Sequence, residues 1–469
     1  MKRQSGAGMT SRSLPAGRKQ KKATRLGHGR EVIGYVTQWD AWKDISGYVP
    51  KGGFNHLNVD YSQYTILNFS FFGVAKDGSL HSGDFRNKQI YLESAVQEPA
   101  ALIHPSPYDS WDVHILYGEV ENVWHIIDGG YAYRLGYRMG PGGNEAWIHP
   151  ESGRSGPFPL VIPKENGAPG LIDKAHANGV KVMASLGGWS MCKHFPEMAL
   201  DQAKRERFLQ DCDTLIGMGF DGIDIDWEYP NDFGMNIYGH SEEDYKGFED
   251  LMDALRSRLG SGKLITAAMA AAPAKLAGFN WSRLNRSMDY FNMMTYDFHG
   301  GWSDSAGHNS PLYNYPGGTD NFSVDGCVCA LRSYGADMSK VNIGGAFYGR
   351  GVITAGPAGL NQATVKKSVH LDPDGPVVTA ADYDNWSLGV WDGTPNYGYI
   401  QQITGSWHEE WDDVAKVPYK TSGNYFLSYD NERSIRAKAA YIKEQGLAGV
   451  IIWQVWGDME QLTTNTEKK

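Results

Sequence analysis

Residues Phe220–Pro230 read FDGIDIDWEYP. Asp224, Asp226 and Glu228 lie two apart, with Ile223, Ile225 and Trp227 interleaved. On an extended strand successive side chains point to opposite faces. One face therefore carries three carboxylates and the other three apolar groups. The apolar face can pack on helices and hold the strand inside a sheet. The acidic face is costly there, because each charge loses its water and repels the next. A metal site built from three carboxylates and an exposed acidic edge strand are two readings of the pattern. The third is a catalytic cluster whose members cannot all ionise at neutral pH, so that at least one proton is shared.

Outward from this strand, short β-branched or aromatic runs alternate with helical stretches, the pattern of an α/β fold with parallel strands. The candidate strands are Glu31–Thr37, Tyr64–Phe72, Val180–Leu186, Phe220–Trp227, Leu264–Ala270, Tyr290–Tyr296, Val341–Phe347 and Gly449–Trp453. Eight is the number a (β/α)8 TIM barrel needs, and Glu228 falls at the C-terminal end of strand four, where such a barrel carries its reactive groups. Apolar stripes at three- and four-residue steps predict the intervening helices: Phe208, Leu209, Cys212, Leu215 and Ile216; Tyr245, Phe248, Met252, Leu255 and Leu259; and Ile435, Ala439 and Ile442.

The 469 residues exceed what the barrel needs. The excess lies in residues 1–30, 74–165 and 351–425. The first is a basic tail, predicted to be disordered, with nine Lys or Arg and no acid. The second is a long insertion after strand two, rich in Gly, Pro and aromatics. The third contains Pro376–Thr379 (PVVT) and Tyr397–Ile400 (YGYI), both read as strands, and predicts a small inserted α+β subdomain between strands seven and eight. Residues 31–350 and 426–469 are then the barrel. Only about sixteen residues follow strand eight, so the eighth helix is expected to be short or cut.

Removing the nine positive residues of the tail from the formal net charge of −10 leaves the remainder at −19. So acidic a body repels phosphates and excludes nucleic acid as a partner. No apolar run is long enough to predict a membrane-spanning helix, and the N-terminus lacks the apolar stretch of a secretory signal. Cys192, Cys212, Cys327 and Cys329 fit no metal framework, and His194 and His299 read as ordinary loop histidines. No metal or cofactor is expected. Aromatic residues make up 12% of the chain, 15 of them Trp and 26 Tyr, a supply suited to stacking on flat apolar faces such as sugar rings.

The sequence resembles glycoside hydrolase family 18, the chitinases and their relatives. Asp221, Asp224, Asp226 and Glu228 match the family's Asp-x-x-Asp-x-Asp-x-Glu signature in full. The resemblance covers roughly residues 30–73 and 166–458. It extends to Ser185–Ser190 (SLGGWS), Met294–Trp302 (MTYDFHGGW), Tyr348–Arg350 (YGR) and Trp453. It implies a chitinase acting on chitin and chito-oligosaccharides by substrate-assisted retention, the family being an exception to the two-carboxylate scheme. Glu228 would be the general acid and base. Asp226 would orient the substrate's acetamido group, Asp224 would share a proton with Asp226, and Tyr296 would donate to the acetamido oxygen. Trp453 would form an apolar floor. Met294, Asp297, Tyr35, Tyr229, Trp189, Trp302, Tyr348 and Arg350 would line the subsites. Asp221 has the wrong parity for the cleft and is expected to be structural, while Gly187 and Gly188 would permit a tight turn beside the ligand. The alternatives are an endo-β-N-acetylglucosaminidase acting on N-glycans and a non-catalytic chitin-binding lectin on the same barrel. The resemblance also implies an extracellular monomer, with membership of a larger secreted or toxin assembly left open.

Overall fold

The computed structural model describes residues 29–42, 52–104, 106, 109–123, 138–139, 147–148, 155–156, 160–164, 166–365, 394–402 and 405–458. The runs rich in β-branched and aromatic residues form strands β1 (Glu31–Thr37), β2 (Ile66–Val74), β3 (Lys181–Gly187), β4 (Gly222–Asp226), β5 (Leu264–Ala270), β6 (Tyr290–Met294), β7 (Val341–Ala346) and β8 (Gly449–Trp453). Each pairs in parallel with the next, and β8 returns to β1. The sheet is therefore a closed barrel with no free parallel edge. The helices between strands include α1 (Leu171–Ala177), α2 (Gln202–Gly217), α3 (Glu243–Leu259), α4 (Trp281–Ser287), α5 (Val324–Tyr334) and α6 (Glu432–Gln445).

Period-two alternation divides the core into two shells. Outward residues such as Leu67, Val182, Ile223, Ile225, Ile265, Phe291 and Ile343 pack against the helices in one large cluster. Inward residues such as Ile33, Ile66, Met183 and Ile451 fill the lower barrel in a separate cluster. The helices supply the expected stripes: Phe208, Leu209, Cys212 and Leu215 of α2, and Phe248, Met252 and Leu255 of α3, are buried. Asp201 starts α2 by accepting from the N–H groups of Ala203 and Lys204 at 2.8 and 2.9 Å. No helix among the described residues is long and apolar enough to cross a membrane.

Helix α6 departs from its predicted face. Ser434, Lys438, Tyr441 and Ile442 are buried, while Ala439 is exposed. A lysine takes a core-facing position because a carboxylate is buried with it. Lys438 Nζ lies 2.6 Å from Asp430 Oδ2 and 2.6 Å from Ser310 Oγ. Ser434 Oγ donates to Asp430 Oδ1 at 2.7 Å.

A second, antiparallel sheet stands beside the barrel, in the spatial order Arg350–Ile353, Tyr425–Ser428, Val417–Ser422, His408–Asp412. Tyr397–Ile400, read from sequence as a strand, is a helical turn. Its alternation of aromatic and glycine imitates a strand. Yet Tyr397 and Ile400, three apart, both join Leu427 and Tyr429 in one small cluster, which a helical turn allows. Pro376–Thr379, nearly all of the basic tail and residues 459–469 lie outside the described residues. After β2 the chain makes an antiparallel return at Leu80–Ser82. Further on, Val120–Val123 pairs with Leu160–Pro163.

Replacing Lys438 with Met should leave the Asp430 carboxylate buried without its cation. We expect a loss of about 3–5 kcal/mol in unfolding free energy, read from denaturant midpoints. The double variant Lys438→Met/Asp430→Leu should recover part of it.

Candidate active site

The upper barrel interior is polar. Parallel register places Ser185 of β3 and Thr266 of β5 directly beside Asp224 of β4. Both hydroxyls donate to its carboxylate, that of Ser185 at 2.7 Å. Tyr35 Oη donates at 3.0 Å and Asn292 Nδ2 at 3.3 Å. Asn342 in turn donates to Asn292 Oδ1 at 2.9 Å. Asp224 is fully buried, and burial lifts its pKa against the pull of these four hydrogen bonds.

One level higher, Asp226 receives no such support. Its Oδ1 is buried and, among the described residues, has no hydrogen-bond partner. Burial, and then the charges of Glu228 and Asp224, push its pKa well above the usual carboxylate range. Glu228, at the mouth, is raised to about 7, chiefly by burial. Hydrogen bonding to Tyr229 and the charge of Lys275 oppose the shift, and the charge of Asp297 adds to it. Buried together, the three carboxylates thus differ in support: Asp224 is held by four donors, Asp226 stands without them, and Glu228 is poised to carry a proton near neutral pH.

Two donors from the turn after β3, Gly188 and Cys192, fix the end of β4. Gly188 N–H reaches Asp226 O at 2.8 Å, and the Cys192 thiol reaches the same carbonyl at 3.0 Å. Cys192 Sγ also accepts from Glu228 N–H at 3.3 Å. Gly187 and Gly188 have φ of 110° and 78°. A Cβ on Gly187 would lie 2.2 Å from Asp226 O, and one on Gly188 2.5 Å from the Phe71 ring. Both backbone conformation and space demand glycine here.

Beside the carboxylates lies an aromatic floor. Trp453 ends β8 and stacks on Phe71, with centroids 5.9 Å apart and planes 15° apart. Tyr35 and Trp39 close around it at 5.4 and 6.1 Å. Met294 points inward from β6 and packs on the same inner cluster. Tyr296 is nearly buried, and its pKa is raised by burial and by the surrounding carboxylates, so it stays a hydroxyl donor. It fits because β7 has Gly344, whose Cβ would meet the Tyr296 ring at 2.6 Å. Asp297 binds Arg350 through both carboxylate oxygens, at 2.7 and 2.8 Å, and accepts from Tyr348 Oη at 2.6 Å. Arg350 lies over the Trp302 ring at 5.1 Å. Lys275 Nζ sits 4.2 Å from the Tyr229 ring centroid. Trp189 and Trp302 are exposed.

Contacts and mutual electrostatics join Asp224, Asp226, Glu228, Tyr296, Asp297, Tyr35, Tyr229, Met294, Tyr348, Arg350 and Trp453 in one cluster, while Trp189 and Trp302 lie exposed on the loops after β3 and β6. Asp221 points away and accepts from His176 at 2.7 Å and from Val182 N–H at 2.8 Å, a structural role. His194 accepts from Gln97 N–H at 2.9 Å, and His299 contacts His308 O at 3.2 Å. All four cysteines are free thiols. Among the described residues no cluster of three His, Cys, Asp or Glu is arranged to hold a metal ion. Sequence reasoning missed Trp39, Phe71, Thr266, Asn292, Cys192 and Lys275 as site residues. Aligning the predicted strands in parallel register would have found Thr266.

The description "Glycosyl hydrolases family 18" belongs to the family model that matches residues 157–458. Chitinase A1 of Niallia circulans is 30% identical over 307 residues, covering 62% of this chain and 42% of its own. A probable endochitinase of Caenorhabditis elegans is 32% identical over 284 residues, covering 58% and 43%. The chain thus spans less than half the length of these two curated relatives. Among solved structures, a chitinase from Bacillus thuringiensis superposes with a TM-score of 0.65 at 24% identity, over 92% of this chain and 66% of its own. The Group IV chitinase of Ostrinia furnacalis gives 0.62 at 22% identity, over 91% and 92%. Identity at that level speaks for the shared barrel fold. With the family match spanning well over half of the sequence and containing all three inward carboxylates, the chain belongs to glycosyl hydrolase family 18.

Proposed function

We propose that this chain is a chitinase that hydrolyses β-1,4 bonds between N-acetylglucosamine units with retention of configuration. The observation that carries the reading is the graded carboxylate stack, with Glu228 raised to about 7 at the mouth, beside an aromatic floor. The names of the relatives agree with it.

The reacting sugar rests on Trp453. Glu228, protonated, gives its proton to the glycosidic oxygen as the C1–O bond breaks. The substrate's acetamido oxygen attacks C1, and Tyr296 donates to that oxygen. Asp226 accepts the acetamido N–H through one oxygen. Through the other it directs its proton to the new Glu228 carboxylate, stabilising the oxazolinium-type cation. The charge of Asp224, held by four donors, helps keep that proton on Asp226. Water then attacks C1 as the bond from C1 to the acetamido oxygen breaks; Glu228 takes the water's proton, so the acid is restored and the acetamido group is released intact. The second attack on the same carbon accounts for retention.

We read residues 31–350 and 426–469 as the catalytic barrel and 351–425 as an inserted subdomain, with the seam moved so that the strands Arg350–Ile353 and Tyr425–Ser428 fall on the subdomain side. Polymeric chitin lies outside cells, so we place the action of this protein there, as a monomer.

Glu228→Gln should lower kcat at least about 100-fold, the scale of general acid catalysis. Affinity for chito-oligosaccharides by calorimetry should stay within a few-fold. Full turnover in that variant would overturn the assignment. Fully deacetylated chitosan should resist cleavage, because it lacks the internal nucleophile; release of reducing ends from it would refute substrate assistance. The pH profile of kcat/KM should fall through a basic limb near pH 7, as the acid form of Glu228 is lost. Lys275→Met removes a cation that favours the carboxylate. Glu228 then holds its proton to higher pH, and the basic limb should move up.

A further inference from the structure

Residues 90–97, within the insertion after β2, are tied to the loops that follow β3 and β4, chiefly by one ammonium group. Lys193 follows the SLGGWS turn after β3. Its Nζ lies 3.1 Å from Ile90 O, 2.5 Å from Leu92 O, 3.1 Å from Glu93 O and 2.6 Å from Ala95 O. An ammonium has three N–H donors, so four carbonyls of one short turn saturate it. Charge-assisted bonds of this kind are stronger than neutral ones. Two further ties reach the same segment. Asn236, on the loop after Glu228, donates to Tyr91 O at 2.5 Å. Gln97 N–H donates to His194 at 2.9 Å.

The location matters as much as the chemistry. Cys192, one residue before Lys193, accepts the Glu228 N–H, so the clasp stands beside the backbone of the acid. Lys193 Nζ is also 6.0 Å from the Tyr238 ring centroid, and Phe233 meets Tyr238 edge-on at 5.1 Å. Trp189, Leu92, Phe233 and Tyr238 are all exposed, at 45, 43, 42 and 48%. Large apolar side chains left in water together mark a binding surface. These belong to three segments: the turn after β3, the loop after Glu228, and the insertion. Trp453 and its floor come instead from β8, β2 and the β1 end, and β8 stands across the closed eight-stranded ring from β4, which leads into Glu228.

We propose that Lys193 is a specificity-determining residue: by clasping residues 90–95 to the barrel rim it makes the insertion part of a wall that grips the leaving-group side of a β-1,4-linked N-acetylglucosamine chain. The inference rests on the chitinase reading and deepens it. The wall lies beyond the scissile bond, so it holds sugars that depart and favours cleavage within long chains. An aryl chitobioside, with only a small aromatic leaving group, does not reach it.

The test compares kcat/KM for the N-acetylglucosamine hexamer with that for an aryl chitobioside in the intact protein. In Lys193→Met the hexamer-to-chitobioside ratio should fall roughly five- to tenfold, through KM, the scale of a lost contact of about 1 kcal/mol. Lys193→Arg, which keeps the cation, should restore most of the ratio. Should Lys193→Met fail to fold, Tyr238→Ala reads the same wall from an exposed position and should lower the ratio likewise. A ratio equal to wild type in the folded variants, or a parallel loss on both substrates, overturns the inference while leaving the chitinase reading intact. Absence of cleavage of either substrate by the wild-type protein removes both.

Discussion

Three carboxylates on the inward face of one strand, inside a closed barrel, set the terms for everything around them. A buried carboxylate without partners costs several kcal/mol, and a fold selected for stability alone would not stack three. The barrel meets this cost unevenly. Asp224 receives donors from β1, β3, β5 and β6, the lateral neighbours being fixed by parallel register. Asp226 receives too few, and Glu228 stands at the mouth. Where hydrogen bonds are plentiful the charge settles, and where they are scarce the proton does.

The same economy of contacts governs the backbone. The carbonyl of Asp226 takes one N–H and one S–H from the turn after β3. That turn approaches so closely because Gly187 and Gly188 have no side chains to obstruct it. The acid is therefore positioned by its neighbour strand rather than by the loop that carries it. Lys438 does comparable work at a distance: it holds Ser310, whose hydroxyl donates to Thr295 O at 2.6 Å, directly before Tyr296.

Strand positions were legible because β-branched runs between turn signals leave little choice. β1, β5 and β8 begin and end where the sequence placed them, and the carboxylates stood out through simple parity. Phe71 escaped because parity itself breaks in β2. The register with β3 shifts between Phe69 and Phe72, so both of these face the helices while Phe71 turns inward to Trp453. Thr266 and Asn292 escaped because each strand was read singly, and their meaning lies in what stands beside them. Lys438 escaped because a charged side chain is ordinarily assigned to solvent, and its buried partner Asp430 lies eight residues away. Trp39 sits just past a strand end, where a lone aromatic gives no periodic signal.

Arg350 is the first residue of the antiparallel sheet and also the bidentate partner of Asp297, whose charge contributes to the proton affinity of Glu228. The seam between sheet and barrel is thus also an electrical contact. A chimera that grafts another sheet onto this scaffold must keep that guanidinium with the recipient. Otherwise the graft changes the acid strength of a group it never touches.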